Sequence, residues 1–235
     1  MAVLIAGGSR GIGAACVRAF ASKGERVAFF YHDNQEAAAS IAKETGALAI
    51  QADVADKRAV FDGFQIARTQ LGAIDTLVCA AGIAWTGLFQ DMDEDALRRL
   101  MDVNALGSYF CAQAAAADMV ANKLGSIIFI SSIWGMVGAS CEAAYSMSKG
   151  AQIALCKALA QELGPSGIRV NCVAPGVIDT DMNANLSGAD MDALRDQTPI
   201  GRIGTAAEVA EAVLYLAGAA FVTGQVLSPN GGIVL

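Results

Sequence analysis

Seven short runs rich in β-branched and aromatic residues recur along the chain, and Ala-rich stretches with helical character separate most of them. The strands are predicted at residues 3–6, 26–31, 47–51, 76–79, 126–131, 169–173 and 225–228. Helices are predicted at 12–23, 35–44, 57–71, 94–122 with a break near Asn104, 144–163 and 206–216. Runs such as Ile127-Ile128-Phe129-Ile130 are apolar throughout instead of alternating, which suits parallel strands covered on both faces. Strand and helix in this order predict an α/β fold: one doubly wound Rossmann-type domain of about seven parallel strands with helices on both faces. No linker, composition break or internal repeat divides residues 1–235, so a single domain is expected.

Composition narrows the function. The formal net charge is −7, with no excess of cations to displace counterions from a phosphate backbone, so nucleic acid is not an expected partner. The chain is 54% hydrophobic and only 17% charged, enough for a large core with apolar surface left for a subunit interface. The one histidine, His32, does not fit a multi-histidine zinc site, an HExxH protease or a Ser-His-Asp hydrolase, and no metal is expected. Six cysteines are scattered without a CxxC pair in apolar surroundings, as free buried thiols are, which favours a reducing, cytoplasmic setting. The first residues run straight into glycines and do not read as a signal peptide. The least charged stretches, 124–141 and 212–235, are broken by Gly, Ser, Asn or Pro, and no membrane span is expected.

Three places carry candidate chemistry. Gly7, Gly11 and Gly13, with Ser9, Arg10 and Ile12 between them, lie where the first strand turns into the first helix. Glycines there permit a tight turn and let backbone approach a pyrophosphate at a helix N-terminus, although the spacing is G-x-x-x-G-x-G and not the commoner G-x-G-x-x-G. Tyr145 and Lys149 stand four apart on one helical face, where an ammonium can lower the pKa of a phenol for acid–base work. Residues 178–198 join a strand end to a helix at unusual length, beyond the carboxyl edge of the sheet where ligands bind, and so form a candidate substrate lid.

Taken together, Gly7/Gly11/Gly13, Asn104, Ser132, Tyr145-Ser146-Met147-Ser148-Lys149, Asn171-Cys172-Val173-Ala174-Pro175-Gly176 and Asn230-Gly231-Gly232 resemble the short-chain dehydrogenase/reductase family over essentially the whole chain. Within it, the pattern is most similar to 3-oxoacyl-acyl-carrier-protein reductases. The resemblance implies that Tyr145 donates a proton to a substrate carbonyl and Ser132 bonds the same oxygen. It implies that Lys149 binds the nicotinamide ribose and tunes Tyr145, while Asn104 holds a water in a proton relay. Pro175 and Gly176 would pass the nicotinamide, Ile178 and Thr180 would reach its carboxamide, and Asp53, Val54, Ala81 and Gly82 would border the adenosine half. A homotetramer is implied as well, with helices 94–122 and 144–163 at one interface and runs of small residues, Ala114–Ala117 and Ala158-Leu159-Ala160, allowing close approach.

Departures from the family pattern matter. Ala6 stands where a threonine usually ties the glycine turn, and Cys79-Ala80-Ala81-Gly82 replaces Asn-Asn-Ala-Gly, removing amides from the adenosine pocket. Asp33 meets the spacing of an acid that grips a ribose 2′-hydroxyl, but Arg10, assisted by His32, suits a 2′-phosphate, and the balance favours NADPH over NAD. A carrier-bound or small-molecule ketone is the expected substrate. Residues 131–142 also resemble the active-site loop of a sister group that reduces the 5-aminopentanone modification on elongation factor P. There, Glu142 would pair with a substrate ammonium or act only as a helix-start acid, and Trp134 would wall the pocket or fill space. A nucleotide-binding regulator without turnover is the remaining reading.

Overall fold

The computed structural model describes residues 1–183 and 187–235. Seven strands form one parallel sheet: β1 (Ala2–Ala6), β2 (Arg26–Tyr31), β3 (Leu48–Gln51), β4 (Thr76–Cys79), β5 (Gly125–Ile130), β6 (Ile168–Val173) and, at the edge, the short Val226–Leu227, here β9. Their spatial order is β3-β2-β1-β4-β5-β6-β9. The chain therefore winds outward from β1 in one direction, returns, and continues from β4 in the other. The carboxyl ends of β1 and β4 diverge at this reversal, and a crevice opens there.

Alternation along each strand builds two cores. Leu4, Phe30, Leu77, Ile127 and Val170 face one side, which α3 (Lys57–Leu71), α5 (Gly107–Asn122) and α7 (Ala143–Leu163) cover. Val3, Ile5, Phe29, Val78, Ile128 and Val173 face the other, under α1 (Gly11–Ser22), α2 (Gln35–Thr45) and α9 (Ala206–Gly218). Every residue of β1 and β5 is buried, as the unbroken apolar runs require. Local signals set the helix ends. Asp56 accepts from the amides of Arg58 and Ala59 to start α3, and Thr205 and Glu208 form a reciprocal capping box on α9. Glycines with positive φ close α2 at Gly46 (φ 73°) and follow α3 at Gly72 (φ 80°).

The expected break near Asn104 is not a break. α4 (Glu94–Met101) passes through a π-helical turn, Asp102–Leu106, directly into α5, so the helix bulges at Asn104 without ending. The elements not expected include α6 (Trp134–Val137), α8 (Gly188–Gln197), and a two-residue parallel pair between β7 (Ile178–Asp179) and β8 (Gly204–Thr205). The proposed lid, 178–198, thus begins in β7 and contains α8, and its residues 184–186 lie outside the described residues. Among the described residues no helix is long and apolar enough to cross a membrane.

Phe30 is fully buried, packs edge-on against Phe64 with ring centroids 5.7 Å apart, and lies over Gly63, where a Cβ would come within 2.8 Å of its ring. Phe30→Ala is expected to cost about 3–5 kcal/mol of stability, measured as a lowered urea midpoint at unchanged m-value.

Candidate active site

The glycine turn owes its shape to backbone contacts. The amides of Gly7 and Gly8 both donate to the Phe30 carbonyl, at 3.1 and 2.9 Å, which ties the turn to β2 without the hydroxyl that Ala6 lacks. Gly7 has φ 82°, and a Cβ on it would fall 2.6 Å from Ala81 Cα. A Cβ on Gly13 would fall 1.9 Å from the Gly7 carbonyl oxygen, so α1 can begin this close to β1 only with glycine there. The first turn of α1 carries no acidic residue, and Arg10 at its N-cap is exposed with no partner among the described residues. Gly11 (φ 54°) faces Thr180, whose Cγ2 lies 3.5 Å from the Cβ position, and this brings the segment after β6 over the turn. Free amides at a helix start, an unpaired arginine and backbone bare of side chains fit the diphosphate of a nicotinamide dinucleotide.

At the adenosine end, Asp53 is already engaged. Its Oδ1 accepts from the Ala55 amide at 3.0 Å, and its Oδ2 lies 2.9 Å from Arg99 Nη1 and 3.5 Å from His32 Nε2. Burial raises its pKa, but the Ala55 amide, Arg99 and His32 outweigh that and hold the carboxyl below the usual range. The other imidazole nitrogen of His32 is 2.8 Å from Asp33. Arg99, on α4, was missed in the sequence, where nothing connects it to a residue so far away along the chain. Val54 is buried, and Ala81 and Gly82 are half-buried at the crevice.

Asn104 is completely buried and fully bonded. Its Oδ1 accepts from the Ile83 amide at 2.8 Å, while its Nδ2 donates to the Ile83 carbonyl and to Ser148 Oγ, both at 2.9 Å. Its main-chain carbonyl accepts from Ser108 Oγ and from Gln152 Nε2, both at 2.9 Å. Asn104 thereby acts as a bracket joining the loop after β4 to α7.

Ser132, Tyr145 and Lys149 come together as expected. Ser132 Oγ accepts from the Trp134 amide at 3.2 Å, so its own proton is not spent on that bond, and its hydroxyl is near enough to Tyr145 to favour the phenolate. Lys149 Nζ donates to the Ile130 carbonyl at 2.9 Å, lies 5.6 Å from the Tyr145 ring centroid, and is 3.3 Å from where a Cβ on Gly82 would be. The pKa values differ from the sequence-based expectation. Tyr145 is pushed up to about 12, first by burial and then by Glu142, with Ser132 acting in the opposite sense. Burial brings Lys149 down to about 8. Burial, which disfavours the charged phenolate, is the largest influence on Tyr145 in this arrangement.

The remaining residues border this group. Pro175 is buried and Gly176 half-buried, with a Cβ on Gly176 only 2.8 Å from Asn230 Cα. Thr180 Oγ1 donates to the Ile178 carbonyl at 3.4 Å. Trp134 is half-buried at the start of α6. Glu142 sits at the N-cap of α7 yet its side chain makes no capping bond, and burial raises its carboxyl pKa. Gln152, one turn beyond Lys149 on the same face, was also missed, although its i+7 spacing from Tyr145 was visible. A cavity of about 180 Å³ lies behind Ile178, lined by Thr198, Ile200 and Asn230 among others, and does not touch Ser132, Tyr145 or Lys149.

A doubly wound sheet, a glycine turn at its reversal and a Ser/Tyr/Lys group on its lip form the scaffold expected of an oxidoreductase. Comparison with known proteins places the chain within it. The family described as "Enoyl-(Acyl carrier protein) reductase" matches residues 6–234. A 3-oxoacyl-[acyl-carrier-protein] reductase of Bos taurus is 38% identical over 231 residues, covering 97% of this chain and 96% of its own. A Bacillus subtilis (strain 168) protein named "Uncharacterized oxidoreductase YmfI" is 38% identical over 234 residues, covering 97% of each. The solved structure of a doubly substituted Serratia marcescens short-chain dehydrogenase/reductase superposes with TM-score 0.92 at 38% identity, covering 98% of this chain and 96% of its own. The chain belongs to the short-chain dehydrogenase/reductase family.

Gly13→Ala should abolish binding of a reduced nicotinamide dinucleotide, followed by the enhancement of nicotinamide fluorescence, because the methyl cannot fit against the Gly7 carbonyl oxygen without displacing the turn.

Proposed function

We propose that this oxidoreductase is an NADPH-dependent ketone reductase of the 3-oxoacyl-carrier type. The observation that carries the reading is the position of Lys149, whose ammonium contacts the crevice at Gly82 while standing one helical turn from Tyr145. When bound in the crevice, the nicotinamide supplies a hydride to the carbonyl carbon. The chain's own residues do the rest. The carbonyl oxygen accepts from Ser132 and Tyr145, and Tyr145, which keeps its proton at neutral pH, delivers it as negative charge develops on that oxygen. Lys149, charged below about pH 8, stabilises the tyrosinate left behind. Asn104 keeps the loop at Ile83 and the face of α7 at a fixed spacing.

NADPH is favoured over NADH because Arg10 is unpaired among the described residues, whereas Asp33 is engaged by His32 at 2.8 Å. A homotetramer is proposed through α4–α5 and α7, where Leu106, Tyr109 and Met147 are exposed. The alanine run contributes less to that interface than its composition implies, since Ala114 and Ala115 are buried in the chain's own core.

Glu142 favours a second reading, an ammonium-bearing ketone such as the 5-aminopentanone of modified elongation factor P. The carboxylate is half-buried, pairs with no cation among the described residues, and is close enough to raise the Tyr145 pKa. A substrate ammonium would satisfy it, and an acyl thioester has none to offer.

Three outcomes test this account. Tyr145→Phe should lower kcat for NADPH-driven ketone reduction by about 10²–10⁴-fold with NADPH binding retained; unchanged cellular function in that variant would instead make the protein a nucleotide-binding regulator. The kcat for reduction should hold steady at low pH and fall as pH rises through about 8, where the depressed Lys149 pKa removes the ammonium. Glu142→Gln should spare turnover of acetoacetyl thioesters and, on the second reading, weaken turnover of an aminoketone.

A further inference from the structure

Gln152 is an amide in a place where an apolar side chain would fill the space at lower cost. It is completely buried on α7, on the face that carries Tyr145 and Lys149. Its orientation is fixed by its neighbours. The Ser108 hydroxyl spends its proton on the Asn104 carbonyl at 2.9 Å, so Ser108 Oγ can only accept, and the Asn104 carbonyl can only accept. The atom of Gln152 that meets both must be the nitrogen, which donates to Ser108 Oγ at 2.7 Å and to the Asn104 carbonyl at 2.9 Å. Among the described residues Gln152 Oε1 is buried without a hydrogen-bond donor. A buried carbonyl with no donor is unfavourable, and few such groups persist in folded proteins. Gln152 therefore contributes through its two N–H donors, not through packing.

One donor reaches the Asn104 carbonyl inside the π turn Asp102–Leu106, where the helical ladder is shifted and weaker than a continuous α-helix, and the other reaches Ser108 at the start of α5, whose hydroxyl bonds the same carbonyl. The residue held there is Asn104, whose side chain holds Ile83 on one side and Ser148 on the other. Ser148 in turn donates to the Tyr145 carbonyl at 2.8 Å. From Gln152 the bonds run through Asn104 to both walls of the site. We propose that Gln152 is a positioning residue of the reaction: its amide pins the Asn104 π turn to α7 and so sets the spacing between the loop at Ile83 and the Tyr145–Lys149 pair. The inference rests on the ketone-reductase reading for its kinetic consequence and on geometry alone for its structural one.

The test replaces the amide by a chain of similar length without donors, Gln152→Met, in the full-length protein. With acetoacetyl thioester and NADPH, kcat should fall on the order of ten- to a hundred-fold, the scale of a small misplacement of reacting groups, while KM for NADPH stays at its parent value. Hydrogen exchange of the Ile83 amide, which donates to Asn104 Oδ1, should quicken in the same variant. If Gln152→Met does not fold by circular dichroism, Gln152→Glu, which keeps the shape and exchanges the amine for an acceptor, carries the same comparison. A folded variant with parent kcat and parent exchange at Ile83 overturns the proposal, as does a rise in KM for NADPH with kcat unchanged. If the parent itself reduces no ketone, the reductase reading fails and the exchange measurement alone decides the role of Gln152.

Discussion

The arrangement of the whole site depends on one buried side chain. Asn104 presents its amide to the Ile83 backbone from both ends and to Ser148, and its carbonyl takes Ser108 and Gln152. Those bonds join three separately folded pieces: the loop leaving β4, the π turn between α4 and α5, and the helix α7. Inside a protein each is electrostatically stronger than in water, and leaving any of them unmade costs the desolvation of the group involved. The crevice at the sheet reversal comes from topology, but the alignment of its lip with Tyr145 and Lys149 comes from this bracket. At the π turn the Asn104 side chain bonds both Ile83 and Ser148 of α7, while its carbonyl takes Gln152 from the same helix.

Burial governs the electrostatics. Tyr145 is raised to about 12 and Lys149 lowered to about 8, both chiefly by loss of water. On the proposed reductase reading, a phenol that resists ionising still holds its proton when the ketone arrives, and Lys149, charged below about pH 8, faces the tyrosinate that the transfer leaves. Glu142 adds to the shift at Tyr145 and is itself raised by burial. An acid placed where it opposes ionisation of its neighbour has a physical use when a cation comes to meet it, which is why its substrate relationship carries weight.

The sheet was legible because its signal is local: unbroken apolar runs and glycines at the turn read directly from neighbouring residues. Ser132, Tyr145 and Lys149 were legible as a pattern, and the structure brings them together. What the sequence concealed depends on partners distant along the chain. Arg99 reaches Asp53 from α4, and Gln152 matters only because the π turn delivers the Asn104 carbonyl to it. The break near Asn104 was placed correctly but misread in kind, since residue spacing does not separate a helix end from a one-residue bulge. Spacing likewise reveals an ammonium near Tyr145 and says nothing of the burial that raises the phenol's pKa. The short pairing of β7 with β8 has too few residues to show any periodicity.

The central claim is that the crevice and the Ser132/Tyr145/Lys149 group act together in hydride transfer to a ketone. The most direct measurement is isotopic: the protein is incubated with NADPH deuterated at the reactive C4 position and an acetoacetyl thioester, and the product is examined by mass spectrometry. The account predicts one deuterium on the carbinol carbon of the product, formed in step with NADPH oxidation and lost in Tyr145→Phe. NADPH that binds while the ketone remains unlabelled and unreduced, with thioester and aminoketone alike, would contradict it.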